Sequence, residues 1–194
     1  MAVVQLASAE DVATALGRDL TLAEELQVEP ILDMASEQFR RRSGQGFTAG
    51  SSVVRLKSNG GKVYLPQRPV VAVTSVVDDA GADVEYTRHD QWLTLSGEST
   101  SSNSYSFVTV SYTHGGDVPD LVRLAIADLA RRVLSVDDRA KTGLTQFAHT
   151  EGPFTDSGTY AAWAVGGQTM LSPADIALAE SFRVQIPKVW VATS

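Results

Sequence analysis

The chain has 194 residues, 43% hydrophobic and 20% charged, which suits one globular domain, or one with an insertion, large enough to bury a core. A formal net charge of −7 argues against a dedicated nucleic-acid binder, whose surface is basic, and fits a wall that repels passing DNA. Zero cysteines exclude disulfides and thiolate metal sites, no apolar run is long enough for a transmembrane helix, and no basic-then-apolar leader opens the chain.

In chain order, Ser8 followed by Asp11 has the spacing of a capping box, with Val12 and Leu16 on one face and Gly17 as a stop. Thr21 and Glu24 form a second box. A longer helix to about Arg42 follows, with Val28, Leu32, Ala35 and Phe39 on one stripe and Gly44 at its end. Pro30 lies inside this stripe. Because proline removes a helical hydrogen bond, a kink or break is expected near Leu26 to Glu29. Val53 to Thr113 is β territory. Val53–Lys57 and Lys62–Leu65 flank Asn59-Gly60-Gly61, the signal of a hairpin. Pro66-Gln67-Arg68-Pro69 is a rigid corner. Val70–Val77, Val84–Thr87, Trp92–Leu95 and Phe107–Thr113 complete an expected meander of five or six strands. The Ser-rich stretch from Gly97 to Ser104 reads as a polar loop.

Gly115 and Gly116 break the last strand, and Pro119 suits the first position of a central helix. Val122, Ile126, Leu129 and Val133 share one face of that helix. Leu121, Leu124 and Ala125 widen the apolar surface, so the helix needs more than one packing partner. Leu144 to Trp163 reads as a hairpin or extended arm, with Gln146–His149 and Gly158–Ala162 as its sides. Ser172-Pro173-Ala174-Asp175 starts a short last helix ending near Arg183. The tail from Val184 to Val191 is apolar and β-prone, unlike a disordered terminus. It either folds back or adds to another chain.

Chemistry is sparse. His89, His114 and His149 lie far apart, and no metal, phosphate-loop or nucleophile-elbow motif occurs. His114, before Gly115, suits a turn or cap, with a hydrolytic role beside Asp117 or Asp90 as the competing reading. Arg40, Arg41 and Arg42 suit a solvated helix C-terminus, with a phosphate or acidic partner as the other use. Gly44-Gln45-Gly46-Phe47-Thr48-Ala49 mimics a dinucleotide fingerprint but follows a helix instead of a strand. Asp78, Asp79, Asp83 and Glu85 lack the order of a calcium loop and read as an acidic turn.

Four stretches together resemble the head-to-tail connector (adaptor) proteins of tailed phages. They are Ala9-Glu10-Asp11-Val12 through Leu16-Gly17, Leu20-Thr21 and Ala23-Glu24 to Arg42-Ser43-Gly44; Val63-Tyr64-Leu65-Pro66-Gln67-Arg68-Pro69-Val70 into Val73-Thr74-Ser75-Val76; Val110-Ser111-Tyr112-Thr113-His114-Gly115 with Val118-Pro119; and Leu171-Ser172-Pro173-Ala174-Asp175. Their order and spacing span most of the chain. Pro30 and the length of the Leu144–Gly167 segment depart from the family pattern.

The resemblance implies an α+β fold: a small bundle of about four helices with an inserted antiparallel β module and an extended C-terminal tail. The parts would be N-terminal helices at 1–44, the β module at 50–114, the central helix at 117–136, an arm at 144–168, a C-terminal helix at 172–183 and a docking tail at 184–194. It also implies a ring, commonly of twelve copies, beneath the portal protein in the virion, assembled in the host cytoplasm. The ring would extend the DNA channel without sequence-specific binding and receive the next neck protein, a stopper or tail terminator. No enzyme activity, cofactor, metal or membrane is implied. Val184, Ile186, Val189, Trp190 and Val191 would dock on the portal. Val122, Ile126, Leu129 and Val133 would support packing within and between subunits. A stopper or tail-completion protein is the alternative in the same process, and it would be a β-barrel without flanking helices.

Overall fold

Local signals set the helix ends in a computed structural model of the chain, which describes residues 4–96, 107–136, 145–151, 154–159 and 171–184. Helix α1 is Ala9–Leu16. The Asp11 carboxylate accepts from the Ser8 N–H at 2.8 Å, the Asp11 N–H returns a bond to Ser8 Oγ at 3.2 Å, and Gly17 closes the helix at φ 70°. Helix α2 is Leu22–Ser43, where Glu24 accepts from the Thr21 N–H at 2.8 Å. Helix α3 is Asp120–Leu134, and α4 is Pro173–Ser181. At the start of α4 the Asp175 carboxylate accepts from the Ser172 N–H at 2.8 Å. Each box satisfies amides that the first helical turn leaves without partners.

Two helical expectations need correction. Helix α2 continues through Pro30, so the break half of that expectation is not met. Pro30 and Leu26 both lie on the exposed side, so the Leu26 carbonyl, which loses its helical donor to proline, can be hydrated. Pro119 is the cap residue of α3 at φ −56° and ψ 137°, and Asp120 is the first helical residue. A residue with that extended ψ stands outside the helix.

The chain divides into two units. The helical unit takes the segments up to Arg42 and from Pro119 to Ser181. In it α1 lies against α3. The Leu6 N–H donates to Ser36 Oγ of α2 at 3.0 Å, and Arg132 of α3 meets Asp175 of α4 at 2.6 Å. Val12, Val28, Leu32, Ala35, Phe39, Val122, Ile126, Leu129 and Ala179 are buried. The same unit holds the hairpin of β7 (Gln146–Glu151) and β8 (Phe154–Thr159), paired from Gln146 opposite Thr159 to Glu151 opposite Phe154. The expected hairpin is present, with its second side four residues earlier. The reason is packing: Phe147 lies over Gly158, where a Cβ would come 2.7 Å from the ring.

The β unit, from Ser43 to Val118 with Phe182, is not the expected single meander. It has two three-stranded antiparallel sheets. One has the order β1 (Gly50–Lys57), β6 (Phe107–His114), β3 (Val70–Asp78). The other has the order β2 (Lys62–Tyr64), β5 (Trp92–Leu95), β4 (Tyr86–Arg88). The Asn59–Lys62 turn forms, closed by reciprocal backbone bonds with Gly60 and Gly61 at φ 58° and 75°, yet beyond that one rung its flanks, β1 and β2, go to different sheets. Pairing with β6 explains this. The register from Gly50–His114 to Lys57–Phe107 matches all eight residues of β1, whereas β2 offers three. Alternation decides the interior: Val108, Val110, Tyr112 and His114 point inward along β6. Of these, Val108, Val110 and Tyr112 meet Val63, Leu65, Val76, Leu93 and Leu95 in one core shared by the two sheets.

The α+β class is as expected, with four helices and antiparallel sheets of three, three and two strands among the described residues.

Candidate functional site

Helix α3 presents two apolar faces with different fates. Val122, Ile126 and Leu129 are buried inside the helical unit, and Val133 is half-buried. On the other side Leu121 is 56% exposed and Leu124 59% exposed. Arg123 lies between them, bound to Asp11 at 3.2 Å and Asp120 at 2.8 Å. The inner stripe is therefore committed to the helical unit's own core. The outer leucines stand outside that core, and the nearby cation, Arg123, is already held in place.

A second exposed apolar pair is one that sequence reading missed. Leu22 and Leu26, one turn apart on α2, are 82% and 83% exposed. The signal was present: their i, i+4 spacing lies off the buried Val28, Leu32, Ala35, Phe39 stripe.

The arginine run is a solvated helix end with intramolecular partners. Arg40 donates to the Val4 carbonyl, Arg41 pairs with Glu37 at 2.9 Å, and Arg42 lies 3.9 Å from Glu180. These cations also complement the α2 dipole.

The glycine loop after α2 binds its own module. Gln45 donates from Nε2 to the Pro66 carbonyl at 2.8 Å and accepts from the Arg68 N–H at 2.9 Å. Gln67 answers, accepting from the Gly46 N–H at 2.7 Å and donating to the Gly44 carbonyl at 2.9 Å. The amides of Gln45 and Gly46, which a phosphate would need, are thus occupied. Phe47, at φ 64°, packs edge-on against Phe182 with ring centroids 5.3 Å apart. This reciprocal glutamine clasp was invisible in sequence, because its halves are 22 residues apart and glutamine carries no fixed signal.

His114 is buried, and its Nε2 lies 2.8 Å from Ser52 Oγ across the β1–β6 ladder. Burial pushes its pKa down, favouring the neutral ring. Tyr112 extends the network. Its hydroxyl accepts from the Gln67 N–H at 3.0 Å, while burial raises its pKa. No hydrogen bond or ion pair joins His114 to Asp117 or Asp90 among the described residues. The polar network therefore ties β1, β6 and the Pro66–Pro69 corner together. In the acidic turn, Asp78 and Asp79 are likewise engaged locally. Asp78 Oδ1 accepts from the Ala80 and Ala82 N–H groups at 2.9 Å each, and Asp79 pairs with Arg55 at 2.8 Å. Among the described residues no group of three or more His, Asp or Glu side chains could hold a metal ion.

Of the expected docking residues, Val184 is the last described position, while Ile186, Val189, Trp190 and Val191 lie outside the described residues. The polar loop from Gly97 to Ser104 lies outside them too. No helix among the described residues is long and apolar enough to cross a membrane. Comparison of the sequence with family models gives no match, and no curated protein matches it.

Proposed function

We propose that this chain is a structural head-to-tail connector (adaptor) of a tailed bacteriophage. It would form a ring beneath the portal that extends the DNA channel and joins the capsid to the neck and tail. One observation carries the reading: a helical unit interrupted in sequence by a separate β unit, whose closing helix α3 keeps Leu121 and Leu124 outside its own core. A subunit that must meet identical neighbours needs such a second apolar face. The net charge of −7 supports it further, since a DNA passage works best when it does not hold DNA. The four helices favour an adaptor over a stopper built as a β-barrel.

In this reading Val184, Ile186, Val189, Trp190 and Val191 dock on the portal, and the partners are the portal, further copies of the chain, and the next neck protein. The site of action is the head–tail junction of the virion. The protein is not an enzyme and uses no cofactor or metal.

The test is reconstitution with the cognate portal, followed by cryo-electron microscopy. A ring of this chain beneath the portal is the expected result. A ring lower in the neck would move the weight to the stopper, and no ring would overturn both. Deleting residues 184–194 should leave a folded protein that no longer binds portal, and retained binding would sink the docking assignment.

A further inference from the structure

The helical unit carries a groove between α1 and the first half of α2, with a volume of about 650 Å³. Its apolar lining is Ala9, Ala13, Leu20 and the buried Val28. Four exposed carboxylates rim it: Glu10, Asp19, Glu25 and Glu29. Among the described residues none of the four has an ion-pair partner. The nearest cation along the chain, Arg18, is held by both oxygens of Glu24 at 2.8 and 2.7 Å. Leu22 and Leu26 stand beside Glu25 and Glu29 on α2, so the helix surface passes from apolar floor to acidic rim to a ridge of leucines in water.

We propose that this face binds an apolar helical segment of a partner protein, one that flanks its apolar side chains with lysine or arginine. Three physical demands converge on that occupant. A concave apolar floor next to an exposed leucine ridge accepts the apolar face of an amphipathic helix. Two leucines more than four-fifths exposed on successive turns gain from being covered. Four carboxylates at the rim, unpaired among the described residues, repel an acidic edge and attract a basic one, which speeds encounter and fixes orientation. A second copy of this chain fits less well, because each copy has a net charge of −7 and the α2 arginines already have intramolecular partners. The inference stands whether or not the chain is a connector.

The test is fluorescence anisotropy with the full chain and a labelled amphipathic peptide that has leucines at helical spacing flanked by lysines. Binding is expected, weakened at least about tenfold by Glu25→Gln/Glu29→Gln and by Leu22→Asp/Leu26→Asp. All four positions are exposed, so circular dichroism should show both variants folded. The same peptide with glutamates for its lysines should not bind. Equal binding of leucine-free oligolysine would reduce the face to a polyanion and overturn the proposal. So would peptide binding that neither variant changes. Wild-type self-association, seen by sedimentation and abolished by either variant, would assign the face to a second copy and overturn it as well.

Discussion

At the scale of single residues, the polar groups that looked chemical are used for holding the chain together. Gln45 is buried with both ends of its amide engaged, and Gln67 mirrors it. Each such bond contributes about 1 kcal/mol net, and an orphaned buried partner costs more. Gln45→Ala should therefore destabilise the chain by about 2–3 kcal/mol in urea denaturation, and a loss under 0.5 kcal/mol would show the clasp to be incidental. His114 gives a second residue-level expectation. Its pKa is lowered by burial, so the unfolded chain binds the proton more readily than the folded one. The stability it contributes is fully present above its unfolded value of 6.5 and is lost as pH falls through the lower folded value. His114→Asn, which can still bond Ser52, should flatten the pH dependence of stability just below 6.5. Glu24 has the same sign in a lower window. Arg18, first, and then the Thr21 amide and hydroxyl hold its carboxyl down to about 2 from an ordinary 4.5. Its contribution is present above 4.5 and lost between 4.5 and 2. Thermal melts of Glu24→Gln across that window should show a shallower acid decline than wild type.

At the scale of elements, legibility followed sequence separation. The boxes at Ser8–Asp11, Thr21–Glu24 and Ser172–Asp175 span three residues each and were readable, because both partners sit in one turn. Strand positions were readable too, from β-branched alternation such as Phe107 to His114. Strand partners were not. β6 closes on β1 some 60 residues earlier, and nothing local to Asn59-Gly60-Gly61 says that its two flanks belong to different sheets. The groove was illegible for the same reason: its carboxylates come from α1, the α1–α2 link and α2. Pro30 interrupts no helix, a different case, since its cost depends on whether the orphaned carbonyl reaches water. That cost can be measured. An interior proline disfavours a helix by about 3 kcal/mol, offset by roughly 1 kcal/mol from its stiffening of the unfolded chain. Pro30→Ala should raise stability by about 1–2 kcal/mol in urea denaturation. An unchanged midpoint would mean that the carbonyl's hydration already compensates fully.

At the scale of the whole molecule, the connector reading assigns folding and assembly to opposite faces of one helix, so mutation can separate them. Ile126 is fully buried, and truncation to alanine leaves a cavity that costs about 2–4 kcal/mol. Leu121 and Leu124 are each more than half exposed, so polar replacements there should change the monomer's stability by only about 0.5 kcal/mol. The connector reading assigns these leucines to the neighbouring subunit. In a ring each copy repeats the same contact, and a defect small in one interface is multiplied around the circle. Leu121→Asp/Leu124→Asp should then melt within a degree or two of wild type yet form no ring on the portal in negative-stain images. Ile126→Ala should melt several degrees lower and still assemble below its transition. If the leucine variant assembles normally, α3 does not carry the subunit contact. The ring would then have to close through another surface, for which the β unit, with Val53 and Val71 exposed on its sheet, is the next place to mutate.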